Sequence, residues 1–317
     1  MAFYLVTGGA GFIGSHVAEK LVEQGQQVRV FDDFSTGKTA NLQKVEGRVE
    51  IVRGTLTDRK AVEAAVKGAQ WVIHLGALPS VQRSVEDPVA SHEVCATGTL
   101  HVLNAARQAG VRRVVYAASS SAYGDNPGAV RRESEAISPM SPYAAAKLAG
   151  EHYCKSFTVV YGLETVRLRF FNIFGPRQDA KSPYSGVIAL FIAAMSAGQT
   201  PTIYGDGLQS RDFTYVANAV QAVFKAAQAP AAVGNVYNIG NGGCITLLDL
   251  VQHLNELLGG HIQPKFGPPR AGDVRNSEAD ISRARRELGY EPEVSFMEGL
   301  RLTLAAHRGQ AGLQPKR

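Results

Sequence analysis

Short β-branched runs alternate with helical periodicity through the first half of the chain. FYLVT (3–7), QVRVFD (27–32), VEIVR (49–53), WVIHLG (71–76) and RVVYAAS (113–119) read as strands, and the stretches between them predict helices over about 12–24, from Asp58 onward, and over about 89–109. This alternation predicts a parallel sheet wrapped by helices, and strands as continuously apolar as VVYAA suit a sheet covered on both faces. SPYAAAKLAGE (141–151) predicts another helix, with Ser141 a natural N-cap and Pro142 suited to the first helical position. ETVRLRFFNIFG (164–175) predicts one further buried strand ending in a Gly-Pro turn. Beyond it the pattern loosens, and Gly/Pro-rich connectors such as YGDGLQSRDF and FGPPRAGD join shorter helices. The expected fold is α/β, a doubly wound parallel sheet with a smaller C-terminal substrate lobe. We assign residues 1–171 to the sheet domain, with about 213–240 returning to it, and 172–212 with about 241–317 to the lobe.

The chain has 317 residues, enough for a large core, and 33 basic against 28 acidic residues, a net charge of +5. The Lys and Arg are scattered, so no nucleic-acid arm is expected, and the modest basicity suits an anionic small-molecule ligand. Cys95, Cys154 and Cys244 lie far apart without a C-x-x-C pair, which argues against a disulfide framework or a metal site and for a reducing cytoplasm. The N-terminus enters an apolar strand at once, and the longest apolar run, VIALFIAAM (187–195), is too short to span a bilayer; we expect a cytosolic protein without a membrane partner.

TGGAGFIG (7–14) follows the first strand and opens the first helix. In that context Gly8 permits the tight turn, Gly11 lets backbone approach a pyrophosphate and Gly14 allows close packing, while the helix N-terminus offers unpaired N–H groups. Asp32 closes the second strand, where a carboxylate accepts hydrogen bonds from an adenosine ribose and repels a 2′-phosphate, so NAD is expected rather than NADP. Asp33 is the neighbouring alternative, though alternation lets only one of the two face the ribose.

Tyr143 falls in the first turn of the 141–151 helix, with Lys147 on the same face at i+4. ASSSAYGD (118–125) follows the fifth strand, at the carboxyl edge where ligands bind in such sheets. With Ser119 beside them, phenol, ammonium and hydroxyl form a proton-transfer set. Lys147 is expected to draw the Tyr143 pKa toward neutrality, so that Tyr143 accepts a substrate hydroxyl proton while hydride leaves for NAD and Ser119 orients the hydroxyl.

TGGAGFIGS, HLGA, SSSAYGD, SPYAAAK, FFNIFGPRQ, SRDFTYV and RAGDV lie in an order and spacing that resembles the extended short-chain dehydrogenase/reductases over nearly the whole chain, and most of all the UDP-sugar 4-epimerases. The resemblance implies a Rossmann-type NAD domain and C4 epimerisation of a UDP-hexose through a transient 4-keto sugar. It adds Phe12, Ile13, Ser35, Thr36, Gly37, Leu56, Leu75 and Ala77 to the cofactor contacts. For the UDP-sugar it implies Ser80 and Ser120 near the hexose, Asn172 on a diphosphate or sugar oxygen, and Val187 and Ile188 at a helix start capping the diphosphate. Thr202 and Tyr204 would flank the uracil, with Arg211 and Arg270 on phosphates and Asp273 on a ribose. It also implies a homodimer built on the 89–109 and Tyr143 helices.

Related 4,6-dehydratases carry an Asp-Glu pair after the hydroxyl residue and decarboxylases a glutamate two positions on, where this chain has Ser120 and Ser121, so epimerisation is the surviving chemistry. Four positions beyond Asp273 stands Ser277, where a small residue leaves room for a 2-acetamido group; a shift of register would make Asn276 or Glu278 the neighbour. UDP-GlcNAc/UDP-GalNAc and UDP-Glc/UDP-Gal both stay open, with the former favoured. Thr55 and Cys95 depart from the family's usual aspartate and asparagine, and His74 and His101 read as packing or surface residues. Net dehydrogenation or reduction of a nucleotide sugar is the alternative within enzymes, and a non-catalytic dinucleotide sensor, which should lack the Tyr/Lys pair, is the alternative outside them.

Overall fold

The computed structural model describes residues 1–126, 128–180, 182, 186–269 and 274–312, the last three without their side chains. Seven strands, β1 (Phe3–Thr7), β2 (Gln27–Asp32), β3 (Glu50–Arg53), β4 (Trp71–His74), β5 (Arg113–Ser119), β6 (Glu164–Phe170) and β7 (Val236–Ile239), form one sheet. Their order is β7-β6-β5-β4-β1-β2-β3, and every pairing is parallel. The chain starts at β1, runs outward to β3, then crosses back to β4, so the order reverses between β1 and β4. That switch point opens a crevice at the carboxyl ends of the strands.

Side-chain alternation feeds two cores. Val114, Tyr116 and Ala118 of β5 join Leu5, Val102 and Cys154 on one face, while Val115 and Ala117 join Val6, Val17 and Val220 on the other. Helix α1 (Phe12–Glu23) follows β1, and α2 (Arg59–Val66) is capped by the Asp58 carboxylate. Pro88–His92, Glu93–Thr97 and Gly98–Gln108 run on as one helix, α3, whose middle segment is a wide π turn absent from the sequence expectation. Helix α4 (Pro142–Tyr161) begins as its residues dictate: the Ser141 hydroxyl accepts from Ala144 N at 3.1 Å, Pro142 leads the first turn, and Gly162 ends it in the left-handed region.

The run 164–175 is two strands, not one. β6 ends at Phe170; Phe171 N still donates to Ile239 O, but Asn172 N donates to Asp212 O, and Asn172–Phe174 pairs with Phe213–Tyr215 outside the main sheet. No Gly or Pro separates the two strands, so the change of partner carries no turn signal in the sequence. The lobe carries a second sheet in which Ser210–Arg211 lies between Ile245–Thr246 and Asn276–Ala279. Asp212 ties this sheet to the end of β7, its buried carboxylate accepting from the N–H groups of Asn241 (2.6 Å) and Gly242 (2.9 Å).

Candidate active site

The turn after β1 lies at the switch point. Gly8 takes φ +66°, and a Cβ there would sit 2.8 Å from the Gly76 backbone. At Gly14 a Cβ would come within 2.1 Å of the Gly8 carbonyl oxygen, whereas at Gly11 it would meet only that same oxygen, at 3.1 Å. The loop is therefore closed toward the protein and open above Gly11, with the first N–H groups of α1, from Phe12, Ile13 and Gly14, lacking helical acceptors. Asp32 ends β2 buried, one carboxylate oxygen accepting from Ala10 N and the other from Phe34 N, both at 2.9 Å. Each oxygen keeps a lone pair for a ribose hydroxyl. Asp33 is exposed and caps Ser35 N. Ser35 and Thr36 are exposed beside it, and Gly37 packs so closely that a Cβ would lie 2.8 Å from Asp32 Oδ1. Leu56 lies against Gly76, and Leu75 and Ala77 flank that glycine, half-buried. This cradle fits a dinucleotide: the open glycine, the helix N-terminus and the strand-end carboxylate stand where pyrophosphate and ribose need them.

Ser119 ends β5 and caps the following 3-10 turn Ser120–Tyr123, accepting from Ser121 N at 3.2 Å; Ser120 is half-buried in that turn. The Ser119 hydroxyl pairs with Ser121 Oγ at 2.8 Å and stands close enough to the Tyr143 phenol to favour its ionised form, so the end of β5 and the first turn of α4 come together. Lys147, one turn on, is 3% exposed, with Nζ 4.2 Å from the centre of the Tyr116 ring. Tyr116 Oη donates to the Lys147 carbonyl at 3.0 Å, and Gly150 makes this possible, because a Cβ there would lie 2.4 Å from that oxygen.

The protein's own groups hold the Tyr143 phenol above its ordinary pKa. Burial is the largest influence, Cys95 adds to it, and the Ser119 hydroxyl opposes it. Burial likewise pushes Lys147 down. Lys147 is not among the groups that move the phenol, whose position is set first by burial.

A relay that sequence reasoning missed joins the two halves of the site. Gly76 N donates to Thr7 Oγ1 (3.2 Å), and the Thr7 hydroxyl meets His74 Nδ1 (2.7 Å). His74 Nε2 meets Thr99 Oγ1 (3.0 Å), which donates to the Cys95 carbonyl in the π turn (2.7 Å). Since Thr99 spends its hydrogen on that carbonyl, His74 must donate from Nε2 and accept at Nδ1, the neutral tautomer. His101 Nδ1 instead meets the Leu56 carbonyl at 3.0 Å. Cys95 is buried, and Thr55 Oγ1 pairs locally with Thr57 Oγ1. No metal-binding cluster exists among the described residues.

On the lobe side, Asn172 begins its strand half-buried, and Val187 and Ile188 open helix α5 (Val187–Ser196), whose N-terminus has no side-chain cap. Thr202 and the partly exposed Tyr204 lie on a strand paired with Lys265–Gly267. Ser80 caps the helix Val81–Glu86, accepting from Arg83 N at 3.0 Å. Arg211 and Ser277 are register partners on adjacent strands, so their side chains share a sheet face, while Asn276 pairs with Ser210 through its side chain at 2.9 Å. Arg270 and Asp273 lie outside the described residues.

Residues 4–240 match the family described as the NAD dependent epimerase/dehydratase family. A UDP-glucose 4-epimerase of Mycolicibacterium smegmatis is 39% identical over 97% of this chain and 99% of its own. The fold is similar to that of Thermotoga maritima UDP-glucose 4-epimerase with UDP-glucose (TM-score 0.93, 37% identity, 98% of this chain and 99% of that one). It is equally similar to UDP-N-acetylglucosamine 4-epimerase of Methanobrevibacter ruminantium in complex with UDP-N-acetylmuramic acid (TM-score 0.93, 38% identity, 98% and 99%).

Proposed function

The chain belongs to the NAD-dependent epimerase/dehydratase family, and we propose that within it this protein inverts C4 of a UDP-hexose without net redox change. The observation that carries the reading is the approach of Ser119, at the carboxyl edge of the sheet, to Tyr143 in the first turn of α4, with Lys147 one turn further along that helix and serines at 120 and 121. A dehydratase or decarboxylase needs an acid or base for a second centre, and those positions carry none.

In the proposed mechanism Tyr143 takes the proton of the C4 hydroxyl, Ser119 orients that hydroxyl, and Lys147 stabilises the phenolate. NAD would supply the hydride acceptor for C4 and the donor that restores it. Gly8, Gly11, Gly14 and Asp32 would hold the cofactor. Asn172, Arg211 and the α5 N-terminus take the diphosphate, and Tyr204 the uracil, with Arg270 and Asp273 completing the set.

Ser277 supports acceptance of N-acetylated sugars. It is small, half-buried and on the same sheet face as Arg211, which leaves volume at C2. We further place the protein in the cytoplasm as a homodimer, with no nucleic-acid or membrane partner. No helix among the described residues is long and apolar enough to cross a membrane. Purified protein mixed with UDP-GlcNAc or UDP-Glc, no cofactor added, should show C4 inversion by NMR. Stoichiometric NADH release would instead establish a dehydrogenase.

A further inference from the structure

One turn beyond Lys147, Glu151 forms a two-pronged pair with Arg169 of β6: Oε2 accepts from Nε at 2.9 Å and Oε1 from Nη2 at 2.6 Å, with both side chains 4% exposed. The guanidinium also lies over the Tyr123 ring, 4.7 Å from its centre, and Tyr123 donates to Asn238 Oδ1 of β7 at 2.6 Å. Tyr123 closes the 3-10 turn that Ser119 caps. A single buried arginine thus touches the helix that carries Tyr143 and Lys147 and the turn that follows Ser119. Its third nitrogen, Nη1, is buried with no hydrogen-bond partner.

A buried ion pair with an unpaired nitrogen is a poor device for stability, since apolar residues of the same volume commonly serve as well or better. We infer that the Glu151–Arg169 pair is a positioning element for the proton-transfer site, holding the Ser119 turn and the Lys147 turn of α4 in register across β6. The inference rests on the epimerase reading for its consequence and on the geometry for its content. Charge adds a second effect. The groups facing Lys147 are Cys154 and Glu151 from its own helix, Cys95 from α3, Tyr116 from β5 and His74 from β4, with Tyr143 one turn before it. Glu151 is the one carboxylate among them, and it favours the protonated form of the buried ammonium.

The test replaces the pair with apolar residues, Glu151→Leu together with Arg169→Met, because either single change strands a buried charge and destabilises the fold. The double variant should fold and retain NAD, yet lose roughly tenfold to a hundredfold in kcat at little changed KM, as small misplacements of reacting groups do. The high-pH limb of its kcat profile should move to lower pH as the Lys147 ammonium loses its buried counter-charge. A readout independent of turnover is the ultraviolet phenolate titration of Tyr143 in NAD-loaded protein, corrected with a Tyr143→Phe blank; it should shift between the wild type and the double variant. Unchanged kcat, pH profile and titration would overturn the proposal. So would a fall in stability and kcat together with both pH readouts unmoved, which is the signature of a merely structural pair. Wild-type protein that binds NAD but turns over no UDP-hexose would overturn the epimerase reading alone, since the phenolate titration still tests the pair.

Discussion

In the proposed mechanism Ser119, Tyr143 and Lys147 divide one proton transfer among them, and substitution should separate their shares. Tyr143→Phe removes the base and should lower kcat by a factor on the order of 10² to 10⁴. Lys147→Ala should move the pH optimum upward, because burial already holds the phenol high and the nearby cation is then gone. Ser119→Ala should cost less than either, since Tyr143 still reaches the hydroxyl. Near-normal kcat in Tyr143→Phe would remove this residue from the chemistry. Ser277 carries a separate prediction. Tyrosine there should suppress turnover of UDP-GlcNAc by roughly tenfold or more, about 1.4 kcal/mol, while largely sparing UDP-Glc; equal loss on both substrates would detach Ser277 from sugar choice. The positions of Tyr143 and Lys147 were legible because a capped helix places i and i+4 on one face whatever surrounds it. The environment that sets their protonation was not, because Cys95, Tyr116 and His74 arrive from three other elements and no local spacing announces them. Glu151 was half-legible, another i+4 step along the same face, but its partner Arg169 required the pairing of β6.

Helix α4 shows how one element serves both site and surface. Its inner face holds Lys147, Gly150 and Cys154, and Gly150 is small because Tyr116 Oη occupies the space a side chain would need. Helix propensity alone rewards Gly→Ala by about 1 kcal/mol. Overpacking costs about 1–3 kcal/mol, so Gly150→Ala should lower the urea midpoint and kcat together; a stabilised, fully active variant would show that Tyr116 gives way freely. The outer face leaves Tyr153 40% and Val160 66% exposed, and the neighbouring helices leave Val85 67% and Val89 64% exposed. Exposed apolar residues concentrated on adjacent helices suit a symmetric partner. Light scattering at micromolar concentration should therefore give twice the chain mass, and Val89→Glu with Tyr153→Lys should halve it. A wild-type monomer would return these side chains to ordinary surface. At this scale the sequence reading located the sheet strands and α4 closely, since apolar runs and caps are local signals. It missed the π turn in α3 and the break at Phe171 because both change hydrogen-bond partners while leaving the apolar pattern intact.

At the scale of the whole molecule, the parallel order β7-β6-β5-β4-β1-β2-β3 sets the cofactor cradle and the proposed proton-transfer group on one edge, and one buried and one half-buried histidine join neighbouring elements there. His74 bridges Thr7 and Thr99, and His16 Nε2 lies 3.1 Å from the Pro176 carbonyl, joining α1 to the segment after Phe174. Burial dominates both, holding His74 down to about 3 and His16 down to about 4, against an ordinary 6.5. The sign follows directly. Between about pH 6.5 and 4 the unfolded chain takes up protons on these rings and the folded protein does not, so stability is fully present above 6.5 and drains as pH falls through that window. Each depressed histidine contributes a slope of up to roughly 1.4 kcal/mol per pH unit. Two of them, acting over a few units, approach the total stability of a typical domain, about 5–15 kcal/mol. Urea denaturation midpoints should accordingly fall steeply from pH 7 to pH 5, before the carboxylates titrate. His16→Gln, which keeps a donor for the Pro176 carbonyl but cannot be protonated, should remove about half of that slope. A midpoint that is flat over this range, or a His16→Gln variant as acid-sensitive as the parent, would mean that the buried rings take up protons without opening the fold.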